Sequence, residues 1–254
     1  TLILEINNLN FAYGKEKVLT DINFEAQKGE LITLIGPNGS GKSTLLKCIN
    51  NYLEVDQGKI KIKGQKLEHY SRKELAQIIA YVPQAAEEIS QLNVFQAVLM
   101  GRKPHSSWKA SSQDKKIAAK IISEMDLDSI AFKNLNNLSG GQRQKVFIAR
   151  AAAQRAELIL LDEPTNNLDL KHQLEIFSLI RKEVKNGRTA VVTMHDLSLV
   201  SRFSDRIIML KNGKVFSDGS QNSLSAAKIN SVYGVEVSLK EHNGQQLIIP
   251  EKVV

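Results

Sequence analysis

A nine-residue run in the first fifth of the chain has the composition of a phosphate-binding loop. The run is Gly36-Pro37-Asn38-Gly39-Ser40-Gly41-Lys42-Ser43-Thr44, which fits the pattern G-x-x-x-x-G-K-[ST]. Glycines let backbone N–H groups turn inward to cradle phosphate oxygens, and a helix that follows adds its positive N-terminal end. Lys42 can then reach the β- and γ-phosphates, and the Ser43 hydroxyl can ligate Mg²⁺. The run therefore predicts the binding of a nucleotide together with magnesium.

Two acidic residues at the end of an apolar run supply the second half of such a site. Asp162 and Glu163 directly follow the buried-type run 158–161. The carboxylate of Asp162 can hold the Mg²⁺ shell, and Glu163 stands where a general base could polarise an attacking water. A solvated strand end would look the same in isolation. Combined with the phosphate loop, the pair favours nucleotide hydrolysis.

Periodic patterns place these residues on an α/β frame. Strands are predicted at 2–11, 18–24, 29–35, 58–64, 78–82, 157–162 and 189–194, and helices at 42–50, 94–100, 112–125, 140–153, 170–185 and 197–203. Asn212-Gly213 predicts a hairpin, and the tail predicts a helix at 224–232 and a second hairpin that turns near Asn243-Gly244. The phosphate loop thus lies between a strand and a helix, which argues against a glycine-rich turn without a ligand.

The composition limits the class of protein. The 254 residues are 42% hydrophobic and 24% charged, which is ordinary for a globular chain and excludes a disordered, collagenous or disulfide-rich one. The single cysteine, Cys48, allows no intrachain disulfide and fits a reducing compartment. No apolar run approaches the roughly 20 residues of a membrane helix, and the first eleven residues do not look like a signal peptide. We expect neither a membrane span nor an export signal.

The net charge of +7 is concentrated in the middle of the chain. Residues 102–155 hold 11 Lys and Arg against 4 Asp and Glu, and the rest of the chain is balanced. Nucleic acid, an anionic membrane surface or phosphates could each be the partner of such a segment. A solvated helical face without a partner is the alternative.

A five-residue run then indicates a family. Leu138-Ser139-Gly140-Gly141-Gln142, upstream of Glu163, resembles the signature motif of ATP-binding cassette (ABC) ATPases. Ser139 could also cap a helix that begins at Gly140, and the two roles are compatible. The resemblance implies two subunits packed head to tail, with each signature motif closing over the ATP of the other. A helix N-terminus with serine and two glycines suits that contact with the γ-phosphate.

The resemblance also gives roles to isolated residues. Tyr13 matches the aromatic residue that stacks on adenine, although by itself it could be a core aromatic. Gln84 matches the glutamine that touches Mg²⁺ or water and links two subdomains. Asp169 matches the D-loop aspartate, with Asn166 replacing the common serine of that loop. His195 matches the histidine that contacts the γ-phosphate, although a lone histidine is more often structural.

The family implies a fold and a reaction. We expect the α/β P-loop NTPase fold of ABC ATPases, with a RecA-like core, an N-terminal antiparallel β subdomain and a helical subdomain at about 86–155. The cassette is expected over residues 1–219, with residues 220–254 extending it as a helix and hairpin. ATP and Mg²⁺ are the implied cofactors. Glu163, His195 and Gln84 are implied in catalysis, and Ser43, Gln84 and Asp162 in metal binding.

Two further runs are similar to one transporter subfamily. Gly101-Arg102-Lys103-Pro104-His105 and Asp169-Leu170-x-His172-Gln173 look like the subfamily that serves iron–siderophore, haem and cobalamin importers. Ordinary surface residues are the alternative for Arg102 and His105. The subfamily implies a second copy, integral membrane permeases, a substrate-binding protein and a place at the cytoplasmic face of the cell membrane. No nucleic acid is expected. The alternatives are a non-transport ABC ATPase acting on ribosomes or DNA, and an exporter subunit.

Overall fold

A computed structural model describes residues 1–84, 91–106, 109–242 and 245–253, which form twelve strands and eight α-helices. The strands are β1 (Leu2–Tyr13), β2 (Glu16–Gln27), β3 (Leu31–Ile35), β4 (Gln57–Ile62), β5 (Gln65–Lys66), β6 (Ile79–Val82), β7 (Leu158–Asp162), β8 (Thr189–Thr193), β9 (Arg206–Lys211), β10 (Lys214–Ser220), β11 (Val235–His242) and β12 (Gln245–Val253). The helices are α1 (Lys42–Ile49), α2 (Arg72–Ile78), α3 (Val94–Met100), α4 (Ser112–Glu124), α5 (Gly140–Gln154), α6 (Leu170–Lys185), α7 (Leu197–Phe203) and α8 (Ala226–Tyr233).

The chain divides into two compact units. The first consists of Thr1–His69 and Thr189–Val254, and the second is Tyr70–Arg188. Among the described residues, no helix combines the length and the apolar character that crossing a bilayer requires. The predicted boundary after residue 219 and the predicted limits of the helical subdomain stay predictions.

The first unit contains three groups of paired strands, of which the smallest is the antiparallel pair of β11 and β12. An antiparallel sheet has the order β2-β1-β4-β5, and its strands alternate between buried and exposed residues, as a sheet with one covered face requires. In the second arrangement β3 lies parallel to both β8 and β9, and β10 pairs antiparallel with β9. All five residues of β3 are buried, the pattern of a parallel strand covered on both faces.

The second unit packs helices beside a short parallel pair. β6 pairs with β7 in parallel, with Val82 opposite Leu161. Around this pair α3, α4 and α5 pack against one another, and α6 packs on α5. α4 buries Ile117, Ile121 and Ile122, which recur at helical spacing and face its neighbours. The helices predicted at 94–100, 112–125 and 140–153 are confirmed.

Most predicted elements are confirmed, and one helix was missed. α6 has the predicted bounds, and α1, α4 and α5 end within a residue of theirs. The hairpin at Asn212-Gly213 is confirmed, because both residues have the positive φ that such a turn needs. The turn near Asn243-Gly244 lies outside the described residues. α2, which the periodicity did not reveal, starts at a capping box of Ser71 and Glu74.

Candidate functional site

The phosphate loop connects β3 to α1 through backbone that only glycine tolerates. Gly36, Gly39 and Gly41 have φ of 151°, 78° and 98°. A Cβ on Gly36 would collide with the carbonyl oxygen of Leu210, and one on Gly41 would lie 2.6 Å from a methyl of Leu19. Gly41 is the N-cap of α1 and has no side chain with which to cap it. Glycine at these positions therefore permits the tight backbone turn that a phosphate-binding loop requires.

Lys42 places a positive charge inside this loop. The side chain is 5% exposed, and its Nζ donates to the carbonyl oxygens of Gly36 at 2.8 Å and Pro37 at 3.1 Å. The buried Oγ of Ser40 has no hydrogen-bond partner within the part of the chain that the structure describes. An unsatisfied buried hydroxyl is costly, and a phosphate oxygen could accept its hydrogen bond. The Lys42 ammonium, the glycine-rich backbone and the unpartnered Ser40 hydroxyl together fit a bound polyphosphate.

The acidic pair lies at the end of β7 in the second unit. Asp162 is the last residue of the strand and is 2% exposed, and Glu163 follows with φ of 46°. Positive φ is uncommon for a residue with a side chain and often marks a functional turn. The carboxylate of Glu163 accepts at one oxygen, Oε2, from Gln84 Nε2 at 2.6 Å and from Asn166 Nδ2 at 2.9 Å.

Strand pairing explains why Gln84 meets Glu163. β6 and β7 are parallel neighbours, so the residues that follow them leave from the same edge of the sheet. Gln84 stands two residues beyond β6, and Glu163 stands one residue beyond β7. Asn166 reaches the same carboxylate from the turn after Glu163. In this turn the Asn166 backbone N–H donates to the Glu163 carbonyl oxygen at 3.2 Å. The sequence identified Asn166 only as a departure from the family pattern.

The signature run forms the start of α5 as predicted. Ser139 is the N-cap, its Oγ accepting from the Gln142 backbone N–H at 3.3 Å. Gln142 Oε1 accepts in turn from the Ser139 N–H at 3.2 Å. This reciprocal pair is a capping box, which confirms the capping role of Ser139. Ser139 and Gly140 are exposed, so the helix start is accessible.

Tyr13 and His195 lie in the first unit. Tyr13 is the last residue of β1, is 48% exposed and makes an edge contact with Phe11 at 4.9 Å between ring centres. It is therefore not a core aromatic, and its ring is available for stacking. His195 is exposed, and it lies between β8 and α7. Asp196, the next residue, caps α7.

The run from Gly101 to His105 is built into the second unit. Arg102 is 7% exposed; its Nε donates to Asp114 Oδ1 at 3.0 Å and its Nη1 to the Ala153 carbonyl at 2.8 Å. His105 Nε2 hydrogen-bonds the Gln154 carbonyl at 2.7 Å. The alternative that Arg102 is an ordinary surface residue is therefore wrong. This run ties α3 to α4 and α5.

The comparisons decide the family. Residues 19–166 match the family model described as ABC transporter. The chain belongs to this family. Its ATP-binding proteins are ATPases coupled to transport, so this member is an ATP-binding ATPase. Cassettes of the family are seen as dimers, and in importers they work with membrane permease subunits. The predicted family, fold and enzymatic class are confirmed.

Individual relatives cover nearly the whole chain. An uncharacterized ABC transporter ATP-binding protein of Methanocaldococcus jannaschii is 43% identical over 98% of this cassette and 98% of its own length. A petrobactin import ATP-binding protein of Bacillus subtilis is 35% identical over 96% of this cassette and 98% of its own length. A solved metal-chelate type ABC transporter, in an inward-facing conformation, has a TM-score of 0.86 at 29% identity over 99% of this cassette and 98% of that chain.

Proposed function

We propose that the cassette hydrolyses ATP to drive an importer of metal chelates, of the iron–siderophore, haem or cobalamin class. The similarity to a petrobactin import protein and to a metal-chelate type transporter supports the class of solute. The observation that carries the hydrolytic part is the Glu163 carboxylate, held by two amides where β7 ends.

The first unit is proposed to bind the nucleotide. Residues 36–44 would surround the phosphates with backbone N–H groups, and the Lys42 ammonium would balance their charge. The orphaned Ser40 hydroxyl supports this assignment, because a phosphate oxygen would satisfy it. The exposed ring of Tyr13 would stack on the adenine.

Magnesium is proposed as the ion that accompanies the nucleotide. Ser43, Gln84 and Asp162 offer a hydroxyl, an amide and a carboxylate oxygen, which are the donors that Mg²⁺ prefers. When bound, the ion neutralises the charge that develops on the phosphate oxygens.

Glu163 is proposed as the general base. Its carboxylate would accept a proton from the attacking water, and the amides of Gln84 and Asn166 fix its orientation. The positive φ of Glu163 supports the assignment, since strain of this kind clusters at active sites. His195 is proposed to contact the γ-phosphate, which its exposed position permits.

The partners follow from the family. A second copy is proposed to present Ser139, Gly140, Gly141 and Gln142 to the nucleotide, with Asp169 at the junction of the two subunits. The exposed start of α5 supports that contact. Integral membrane permeases would place the cassette at the cytoplasmic face of the cell membrane, and a separate substrate-binding protein would deliver the chelate.

The first test separates binding from turnover. Glu163→Gln keeps the size of the side chain and one oxygen that can accept from Gln84 and Asn166, and it removes the basicity. We expect ATP binding to persist and turnover to fall by about 100-fold or more, the usual contribution of a general base. The exposed Glu54→Gln serves as the control and should hydrolyse ATP normally. Normal hydrolysis by Glu163→Gln would contradict the assignment.

The second test addresses the solute. Deletion of the gene in its host should abolish the uptake of one labelled solute among ferric siderophores, haem and cobalamin. Wild type should restore that uptake, and Glu163→Gln should not. Unchanged uptake of all three would refute the proposed class of solute and leave the ATPase assignment intact.

A further inference from the structure

His172 lies at a junction within the second unit. It occupies the first turn of α6, whose N-cap is Asp169. Asp169 Oδ1 accepts two hydrogen bonds from this residue, one from the His172 backbone N–H at 2.9 Å and one from its ring Nδ1 at 2.7 Å. These bonds hold the pKa of Asp169 below its usual value. The imidazole is therefore fixed on one edge by the D-loop carboxylate.

The opposite edge of the ring packs against the signature motif. A Cβ on Gly141 would collide with Cδ2 of His172 and would lie 2.9 Å from Nε2. Gly141 is buried in the first turn of α5, and the His172 ring is mostly covered. The absence of a side chain at Gly141 thus makes the room that the imidazole occupies.

The hydrogen bond to Asp169 determines which edge of the imidazole faces α5. A carboxylate only accepts, so Nδ1 carries the proton that it donates. The ring therefore contacts both segments, through the hydrogen bond at Nδ1 and through the packing of its opposite edge on Gly141.

We propose that His172 is a positioning residue, which holds the start of the signature helix against the D-loop of the same subunit. This inference rests on the proposed function, in which the signature motif faces the partner's nucleotide and Asp169 lies at the junction of the two subunits. A rigid imidazole between them makes the two segments move together when the second copy closes. Gly141 and Asp169 would then keep their spacing through the cycle.

The kinetic test uses His172 variants of the full chain with Ser178→Ala as control, since Ser178 is exposed on the same helix. A shift of about 1 Å in a catalytic group can cost about 100-fold, so we expect His172→Ala to lower kcat by about 10- to 100-fold. The KM for ATP should change by less than about threefold, because contacts to the phosphate loop remain.

Two conservative variants separate the two edges of the ring. His172→Asn keeps a donor for Asp169 and loses the ring, and His172→Phe keeps a ring beside Gly141 and loses the donor. Each should recover part of kcat. Wild-type kcat in His172→Ala would overturn the proposal. So would a loss of kcat that is matched by loss of folded protein, measured by circular dichroism and melting temperature.

A stability cycle tests the contact without reference to catalysis. Gly141→Ala should lower the melting temperature in wild type, because its Cβ meets the ring. In the His172→Ala background the same change should cost less, since the space is open. Additive effects would overturn the contact. If wild type itself shows no magnesium-dependent ATPase, the proposed function fails, and this cycle still decides whether the ring couples the two segments.

Discussion

Two helices of this protein begin at glycine-containing motifs, and they begin in different ways. α1 starts after Gly41, a residue in the left-handed region that has no side chain to cap the helix. α5 starts after Ser139, whose side chain forms a reciprocal capping box with Gln142. Both helix N-termini carry the positive end of a helix dipole, but only the second has a side chain that caps it.

The difference suggests that the two helix starts have different roles in nucleotide binding. The start of α1 has no capping side chain and lies beside the buried Lys42 ammonium, which suits a site that binds a nucleotide within one subunit. The start of α5 is capped by its own side chains, so fewer of its donors are left for a phosphate. It therefore suits a second contact that forms after a nucleotide is held elsewhere.

The largest effect should come from the ammonium at α1. We expect Lys42→Ala to raise the Kd for ATP by about 100-fold, because hydrogen bonds to charged groups are worth about 1.5–3 kcal/mol. Turnover should fall below detection. Equilibrium binding of a fluorescent ATP analogue measures the first effect, and phosphate release measures the second.

Lys47→Ala is the matched control for this prediction. Lys47 lies in the last turn of the same helix, away from the loop, and its loss should leave ATP affinity within about twofold of wild type. Wild-type affinity in Lys42→Ala would show that the phosphate loop is not the primary nucleotide site. The comparison between the two helix starts would then fail.

A smaller effect on turnover should distinguish a helix cap that also contacts the nucleotide from one that only stabilises its helix. Ser139 and Ser111 both anchor capping boxes in the second unit, at α5 and at α4. Loss of either cap should cost about 1 kcal/mol of stability. Ser139→Ala should in addition lower kcat by about tenfold, the rate equivalent of about 1.4 kcal/mol. Paired melting curves and steady-state kinetics measure both quantities.

Ser111→Ala supplies the contrast. Its kcat should stay within about twofold of wild type, a change that corresponds to less than 1 kcal/mol. Equal loss of kcat in the two variants would mean that capping affects turnover only through stability. The start of α5 would then have no contact of its own with the nucleotide.

The local parts of this architecture could be predicted from the sequence. The glycines of the loop between β3 and α1 predict that loop. The spacing of apolar residues and the acidic N-cap at Asp169 predict α6. The capping role of Ser139 follows from the same rules. α2 was missed because seven residues carry too little periodicity, although Ser71 and Glu74 had the spacing of a capping box.

The tertiary parts could not be predicted. Arg102 is buried because Asp114 of α4 and a carbonyl of α5 both reach it, and no local pattern reports that meeting. Asn166 donates to the Glu163 carboxylate from a turn in which the backbone of Glu163 has a positive φ, and no local pattern reports that turn. The contact of His172 with Gly141 likewise depends on how α6 packs on α5. The sequence analysis named these residues because they match or depart from family motifs, and it could not identify the residues that they contact.

The smallest effect should appear in the pH dependence of the two caps. The Ser111 cap contains a carboxylate, since Asp114 Oδ2 accepts from the Ser111 hydroxyl at 2.7 Å. Hydrogen bonds from Ser111, with further ones from Ser106 and Arg102, hold the pKa of Asp114 below its usual range. A depressed carboxyl pKa gives stability that is present above the unfolded pKa of about 4 and is lost as pH falls.

Asp114→Asn should therefore lower the melting temperature at pH 7 by about 2–4 °C, and the gap from wild type should narrow below about pH 4. The cap of α5 is neutral, because Ser139 pairs with Gln142, so the gap caused by Ser139→Ala should not change over the same range. Melting curves recorded between about pH 3 and 7, a range that includes the usual carboxyl pKa, measure how far the melting temperature of each variant lies below that of wild type. A constant gap for Asp114→Asn would mean that its carboxylate adds nothing beyond its shape. The two caps would then be physically alike, and only their positions would distinguish them.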